Sequence, residues 1–257
     1  MPSSSVAWDI NESVAIVTVN RPEARNALTW EMYDAIVEAC DRAEADRDVR
    51  VLIIRGSGGA FAAGTDIKQF RDFADGEDGV AYERRLDAVI DRIEELTIAT
   101  IAEIDGAAAG GGCAIAIACD LRICSERARF GVPVSRTLGN CLSMNNYSLL
   151  LQHLGPARTL DMLLRARLFT GEEAAAAGFV AELCEDDELD ATADGVVQTL
   201  LGHAPLSMWA AKEAVRRIRR ASIPNGDDIV ARVFGSEDFH TAVAAFAAKQ
   251  PVVWQGR

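Results

Sequence analysis

Apolar residues gather in short runs through the first half of the chain and at helical spacing through the second. Val14–Val19 (VAIVTV), Val49–Ile54 (VRVLII), Ile98–Ile104 and the short Arg122-Ile123-Cys124 predict strands. The Val49–Ile54 run is too apolar for a face open to water. Met32, Ile36, Val37 and Cys40 recur at helical spacing behind Thr29, predicting a helix from an N-cap at Thr29 to about Ala45. A charged helix is expected over about Ile67–Leu96, interrupted by a mobile-looking Asp75–Gly79 (DGEDG). From Asn145 onward the pattern is nearly all helical. Helices are predicted at Asn146–Leu154, Ala157–Arg165, Glu172–Ala177, Leu189–Leu201, Leu206–Arg220 and Ser236–Lys249. Gly155-Pro156, Gly178, Pro205 and Pro224-Asn225-Gly226 punctuate them. Repeated strand–glycine turn–helix units predict parallel pairing with right-handed crossovers. The expectation is one α/β domain with a helical C-terminal part.

Composition narrows the function classes. The 257 residues are 49% hydrophobic but only 6% aromatic, enough aliphatic material for a real core and unlike a disordered chain. A net charge of −13 argues against nucleic acid or an anionic membrane as partner, while leaving room for one anionic small ligand held by local cations. MPSSSVAWDI lacks the basic and apolar regions of a signal peptide, and no apolar stretch approaches the length of a spanning helix. A cytoplasmic protein is expected. The six cysteines contain no CxxC spacing and form no ligand set with the three histidines, so packed, reduced thiols and no metal are expected.

Two glycine turns carry the candidate chemistry. Val49–Ile54 leads to Ala62-Ala63-Gly64-Thr65-Asp66, and Ile98–Ile104 leads to Gly106–Gly112. Each opens a helix, where the first N–H groups lack internal partners and the helix dipole is positive. Two such turns side by side can aim two N–H groups at one oxygen, an oxyanion hole. Tight turns with close helix–strand packing would leave the same residues. Neither turn matches GxGxxG or a P-loop. A triad drawn from Ser143, His153 and an aspartate lacks the GxSxG elbow. The acidic run Glu182–Asp190 reads as a solvated surface.

At these turns the sequence resembles the crotonase (enoyl-CoA hydratase/isomerase) superfamily. The resemblance spans nearly the whole chain through NRPEARNAL (Asn20–Leu28), FAAGTDIKQF (Phe61–Phe70), DGAAAGGGCAIAIACDLRICSERARFGVP (Asp105–Pro133), TGEEAAAAGFVAEL (Thr170–Leu183) and the segment Ser236–Arg257. It implies a ββα spiral acyl-CoA-binding core over 1–195 and a C-terminal helical region over 196–257 that mediates assembly of a homotrimer or a hexamer built as a dimer of trimers. It also implies an acyl-CoA ligand and no separate cofactor. The thioester oxygen would accept from the backbone N–H of Thr65 and of Gly111, stabilising an enolate. Ala63 and Ile67 would line the adenine and pantetheine path, with Gly110, Pro133, Val134 and Leu138 also in the substrate site. Arg25, beside Ala24, would meet the nucleotide phosphates, and Phe246 and Lys249 would reach a neighbour's nucleotide. Asp66 belongs to the AGxD motif, as a cap for its turn or a binding residue.

The departures bear on the reaction. Hydratases of the family carry glutamates where this chain has Ala114 and Val134. Hydration needs a base for water and an acid for the α-carbon, and neither side chain can serve. The residues offered instead are Asp66, Asp72 and Glu83, and in the rewritten segment Arg136, Asn140, Cys141, Ser143, Asn145, Asn146 and Tyr147. Glu83 is a candidate acid or base, and Arg136 a candidate for binding an acyl carboxylate or polarising a group. The expectation is an acyl-CoA enzyme of enoyl-CoA hydratase/isomerase type. A decarboxylase or thioester hydrolase with relocated groups, or a catalytically silent acyl-CoA binder, stands as the alternative.

Overall fold

The computed structural model describes residues 5–257. The chain opens with a hairpin, β1 (Val6–Asn11) and β2 (Val14–Val19), followed by a 3₁₀ turn at Pro22–Ala24 and helix α1 (Trp30–Ala45). Then come β3 (Val51–Gly56), a 3₁₀ turn at Ile67–Phe70 and α2 (Gly76–Glu95). The strand β4 (Ala99–Ile104) runs into β5 (Ala107–Ala109) and α3 (Gly111–Ala118). Next are β6 (Leu121–Ser125), β7 (Arg129–Gly131), α4 (Val134–Thr137) and α5 (Met144–Leu164). The remainder comprises β8 (Phe169–Thr170), α6 (Gly171–Ala176), β9 (Glu182–Cys184), α7 (Leu189–Leu201), α8 (Pro205–Arg220), α9 (Asp227–Phe234) and α10 (Glu237–Ala248).

The main sheet runs β1-β2-β3-β4-β6-β9, antiparallel only in the β1–β2 hairpin. A small second sheet runs β5-β7-β8. In the main sheet Ile53 lies between Ile16 and Ile101. Val51, Ile53, Ile101 and Ile123 face Leu189, Ala193 and Val197 of α7, while Leu52 and Ile54 belong to the larger core with α1, α2 and α3. Both faces of β3 are therefore buried, which explains its unbroken apolar run.

The structure revises several expected elements. Asp75–Gly79 is no mobile interruption: Asp75 caps α2, accepting from the Glu77 N–H, and Asp78 completes a capping box. The two helices expected around Gly155-Pro156 are limbs of α5, kinked where Gly155 has φ +69°. The acidic residues of Glu182–Asp190 are exposed, as expected of a solvated surface, but the run also holds β9 and the start of α7, where Leu183 and Leu189 pack inward. A boundary at 195/196 would cut α7 in its middle; this helix covers the sheet as one unit. No helix among the described residues is long and apolar enough to cross a membrane.

Candidate functional site

The two glycine turns are stitched together by backbone. Ala62 N–H donates to Ala107 O and Ala109 N–H to Ala62 O, each at 2.9 Å. Leu28 N–H donates to Gly64 O and Asp66 N–H to Leu28 O, both at 2.8 Å, holding Thr65 from the other side. Gly64 has φ +112°, a conformation that favours glycine, and a Cβ there would lie 3.2 Å from Ala109 O. A Cβ on Gly111 would lie 3.1 Å from Thr65 Oγ1, so these two residues stand side by side. Neither the Thr65 nor the Gly111 N–H donates to a backbone carbonyl among the described residues. Gly111 is also the first residue of α3, at the positive end of its dipole.

At the other end of α3 a buried cation balances that dipole. Arg122 donates to Cys119 O at 2.8 Å, to Ala116 O at 3.3 Å and to Phe179 O at 2.7 Å. The side chain has no carboxylate partner among the described residues; the helix C-terminus serves as its anion.

A cleft opens over the paired turns. Thr65 and Gly111 lie on its wall together with Ala63, Ile67, Gly110, Pro133, Val134 and Leu138, all named from the sequence. Ala114 lines it as well, so both departures from the hydratase pattern face the same space. Glu83 lines it from α2, buried except for 3% of its surface. Its Oε2 accepts the Ser143 N–H at 2.7 Å. Burial pushes the Glu83 carboxyl up to about 8; the Ser143 N–H opposes this and the charge of Asp87 adds to it. Asp87 in turn accepts from Ser143 Oγ at 2.6 Å and, through burial first, is pushed up to about 6.

Other sequence candidates fall elsewhere. Arg136 is exposed on α4 and does not line the cleft. Asp66 caps the Ile67–Phe70 turn through the Lys68 N–H and pairs with Arg21 at 2.7 Å. Burial works against its charge, yet these bonds hold its carboxyl below the usual range. Arg25 is exposed at the end of the Pro22–Ala24 turn, where its carbonyl accepts from Ala63 N–H at 3.0 Å; this places Ala24 and Arg25 beside the cleft wall. Phe246 is exposed on α10 and Lys249 is exposed just after it, capping the helix at φ +53°; neither lines the cleft. Burial pushes the Cys141 thiol up to about 12, which removes thiolate character. Ser143 caps α5 while His153 lies three turns along it, packed edge-on to Phe179, so the two form no triad.

The sequence reading missed two tyrosines. Tyr33 OH lies 2.8 Å and Tyr82 OH 2.9 Å from Thr65 Oγ1, one on each side. The signal was present: Tyr33 follows Met32 on the apolar stripe of α1, and Tyr82 precedes Glu83 on that of α2. No group of three or more His, Cys, Asp or Glu side chains among the described residues is placed to hold a metal.

Comparison with known proteins agrees with this architecture. The profile of the family described as enoyl-CoA hydratase/isomerase matches residues 9–257. A probable enoyl-CoA hydratase of Mycobacterium bovis is 32% identical over 256 residues, covering 97% of each chain. A short-chain-enoyl-CoA hydratase of Clostridium acetobutylicum is 30% identical over 98% of each. Among solved structures, an enoyl-CoA hydratase/carnithine racemase from Magnetospirillum magneticum superposes with a TM-score of 0.80 at 31% identity, covering 99% of this chain and 96% of that one. A profile match over almost the full length, joined to relatives above 30% identity, identifies the chain as a member of the enoyl-CoA hydratase/isomerase family of enzymes, within the crotonase superfamily.

Proposed function

We propose that the cleft binds an acyl-CoA thioester with its carbonyl oxygen between the N–H groups of Thr65 and Gly111, and that Glu83 moves the proton. The observation that carries this reading is the position of Glu83: a buried carboxyl in the same cleft as Ala114 and Val134. As a carboxylate it takes a proton from the saturated carbon next to the thioester carbonyl, and the electron pair moves onto the thioester oxygen. The two N–H groups stabilise that enolate. Returned to the same carbon, the proton exchanges; returned two carbons along, it shifts the double bond. One carboxyl suffices for either outcome, whereas hydration by the two-carboxylate route needs a second. Isomerisation of enoyl-CoA is therefore favoured over hydration.

Arg25 and Ala24 sit beside Ala63 and suit the nucleotide end of the ligand, with Phe246 and Lys249 serving a neighbouring subunit in a homotrimer or hexamer of a cytoplasmic enzyme. The test is incubation with butyryl-CoA in D₂O, read by mass spectrometry, alongside but-3-enoyl-CoA and crotonyl-CoA. Deuterium at the α-carbon and migration of the double bond are expected, both lost in Glu83→Gln. Thioester binding with neither reaction would overturn the isomerase reading, and binding with no turnover of malonyl- or methylmalonyl-CoA and no release of coenzyme A either would leave a silent binder.

A second reading is favoured by the raised Glu83 pKa. Below about 8 the neutral acid can protonate an enolate left by loss of CO₂, a step that needs no base. The two readings differ in sign with pH. Exchange and isomerisation rise as pH passes about 8, since they use the carboxylate, while decarboxylation of malonyl- or methylmalonyl-CoA falls there, since it uses the acid. Release of free coenzyme A thiol would identify a hydrolase instead.

A further inference from the structure

Three hydroxyls meet at the rim of the paired turns. Thr65 Oγ1 is bonded on one side to Tyr33 OH and on the other to Tyr82 OH. Counting hydrogens constrains this group. Three hydroxyls bring three hydrogens, and two bonds use two of them. Whichever way the bonds run, one O–H hydrogen has no acceptor within the group, and neither tyrosine hydroxyl has another hydrogen-bond partner among the described residues. A buried donor left unmade is costly, so a further acceptor is expected.

Two features point that hydrogen toward the ligand space. Tyr33 is fully enclosed and its hydroxyl sits against Gly111, where a Cβ would come within 2.1 Å of it. Tyr82, by contrast, lines the cleft together with Thr65, Gly111 and Glu83. Two tyrosine donors would leave the spare hydrogen on Thr65, and the direction Tyr33 to Thr65 to Tyr82 leaves it on Tyr82; either way it belongs to a residue that lines the cleft, and only the second arrangement gives both Thr65 and the enclosed Tyr33 an acceptor. Successive hydroxyl bonds in a low-dielectric site also polarise one another, strengthening the last donor.

We propose that Tyr82 is a further catalytic residue, a third donor whose hydroxyl hydrogen-bonds the oxygen of the thioester held at Thr65 and Gly111, with Tyr33 and the Thr65 side chain orienting it. The proposal rests on the thioester reading of the cleft. Burial holds Tyr82 well above the ordinary phenol range, so the group donates a hydrogen bond and does not lose its proton. Its ring packs against Trp30, Phe70, Phe73 and Phe234, so phenylalanine can keep the packing and delete the hydroxyl alone.

The test uses the full chain and a dimethylamino-cinnamoyl thioester of coenzyme A, whose absorption moves to the red as hydrogen bonds polarise its carbonyl. Wild type is expected to bind it with a red shift. Tyr82→Phe is expected to bind within about threefold of wild type, to lose part of the shift, and to slow α-proton exchange of butyryl-CoA by about 100-fold, the lower end of the range for an oxyanion donor. Should Tyr82→Phe fail to fold, Thr65→Val, which keeps the backbone N–H and frees the Tyr82 hydroxyl from its orienting partner, is expected to change the shift, and an unaltered shift in it would overturn the proposal. A full red shift and full exchange rate in Tyr82→Phe would overturn the proposal and leave the thioester reading intact. A wild type that binds without any red shift would overturn both.

Discussion

At the scale of single residues, Glu83 is the position where local pattern and chemistry part. It occupies the buried stripe of α2 with Val80, Leu86, Ile90 and Ile93, a place where helical periodicity calls for an apolar side chain. From the sequence Glu83 was either a site residue or part of a solvated helix face; its burial, the cleft it meets and its partner Ser143 come from tertiary contacts. The folded pKa of about 8 lies above the ordinary 4.5, so the folded state favours the protonated form. The associated stability is fully present below about pH 4.5 and is lost as pH rises through about 8. Glu83→Gln, which stays neutral, should therefore match wild type in Tm near pH 4.5 and exceed it increasingly up to pH 8–9. Thermal melts across that range check the sign; a gap that closes as pH rises would contradict it.

Among the elements, α3 shows most clearly why pattern reading stopped short. Cys113–Cys119 alternates in size with the period of a strand, yet it forms a fully buried helix. The deciding features are its ends: Gly111 and Gly112 let its first turn press against Tyr33 and Ala62, and Arg122 closes the last turn. Gly112→Ala would set a Cβ 2.2 Å from Ala62 O, forcing the two turns apart. This variant should lose α-proton exchange by roughly 100-fold, as expected when one oxyanion donor is displaced, while remaining folded by circular dichroism. Arg122→Met removes the donors to Cys119 O and Phe179 O and leaves buried carbonyls unpaired. A loss of about 2–4 kcal/mol follows from leaving buried acceptors unsatisfied, and chemical denaturation measures it. The strands β5, β7 and β8, with two or three residues each, are too short to show any period, and only tertiary pairing defines them.

Over the whole molecule, the scarce aromatics are concentrated where the last helices meet the cleft. Phe234 of α9 and Phe239 of α10 pack with Phe70, Phe73 and Tyr82, and Gly79 makes room for Phe234, since a Cβ there would lie 2.3 Å from the Phe234 side chain. The C-terminal helices thus complete the wall behind Tyr82. Helix α9 escaped the periodicity reading because eight residues after Pro224-Asn225-Gly226 present barely two turns. Phe234→Ala should cost about 3–5 kcal/mol, as for other large core truncations. It should also weaken thioester binding, a coupling that melts and titration of the chromophoric thioester would show together. Parallel pairing and the candidate glycine turns followed from pattern and glycine placement, whereas the strand order, the hairpin strand β1 and the partner of Glu83 depended on contacts between segments far apart in the sequence.

The bonds that tie Ala62 to Ala107 and Ala109 have an evolutionary consequence. They belong to main chain, so exchanges at the non-glycine side chains of the cleft wall leave their donors and acceptors in place, while the glycines beside them, Gly64 and Gly112, are the positions where an added Cβ would press on them. The carboxyl of Glu83, in contrast, sits on a replaceable side chain, as do the apolar groups of Ala114 and Val134 around the same cleft. A lineage with this scaffold can relocate its proton handling one substitution at a time, and each intermediate keeps the means to stabilise the same charge.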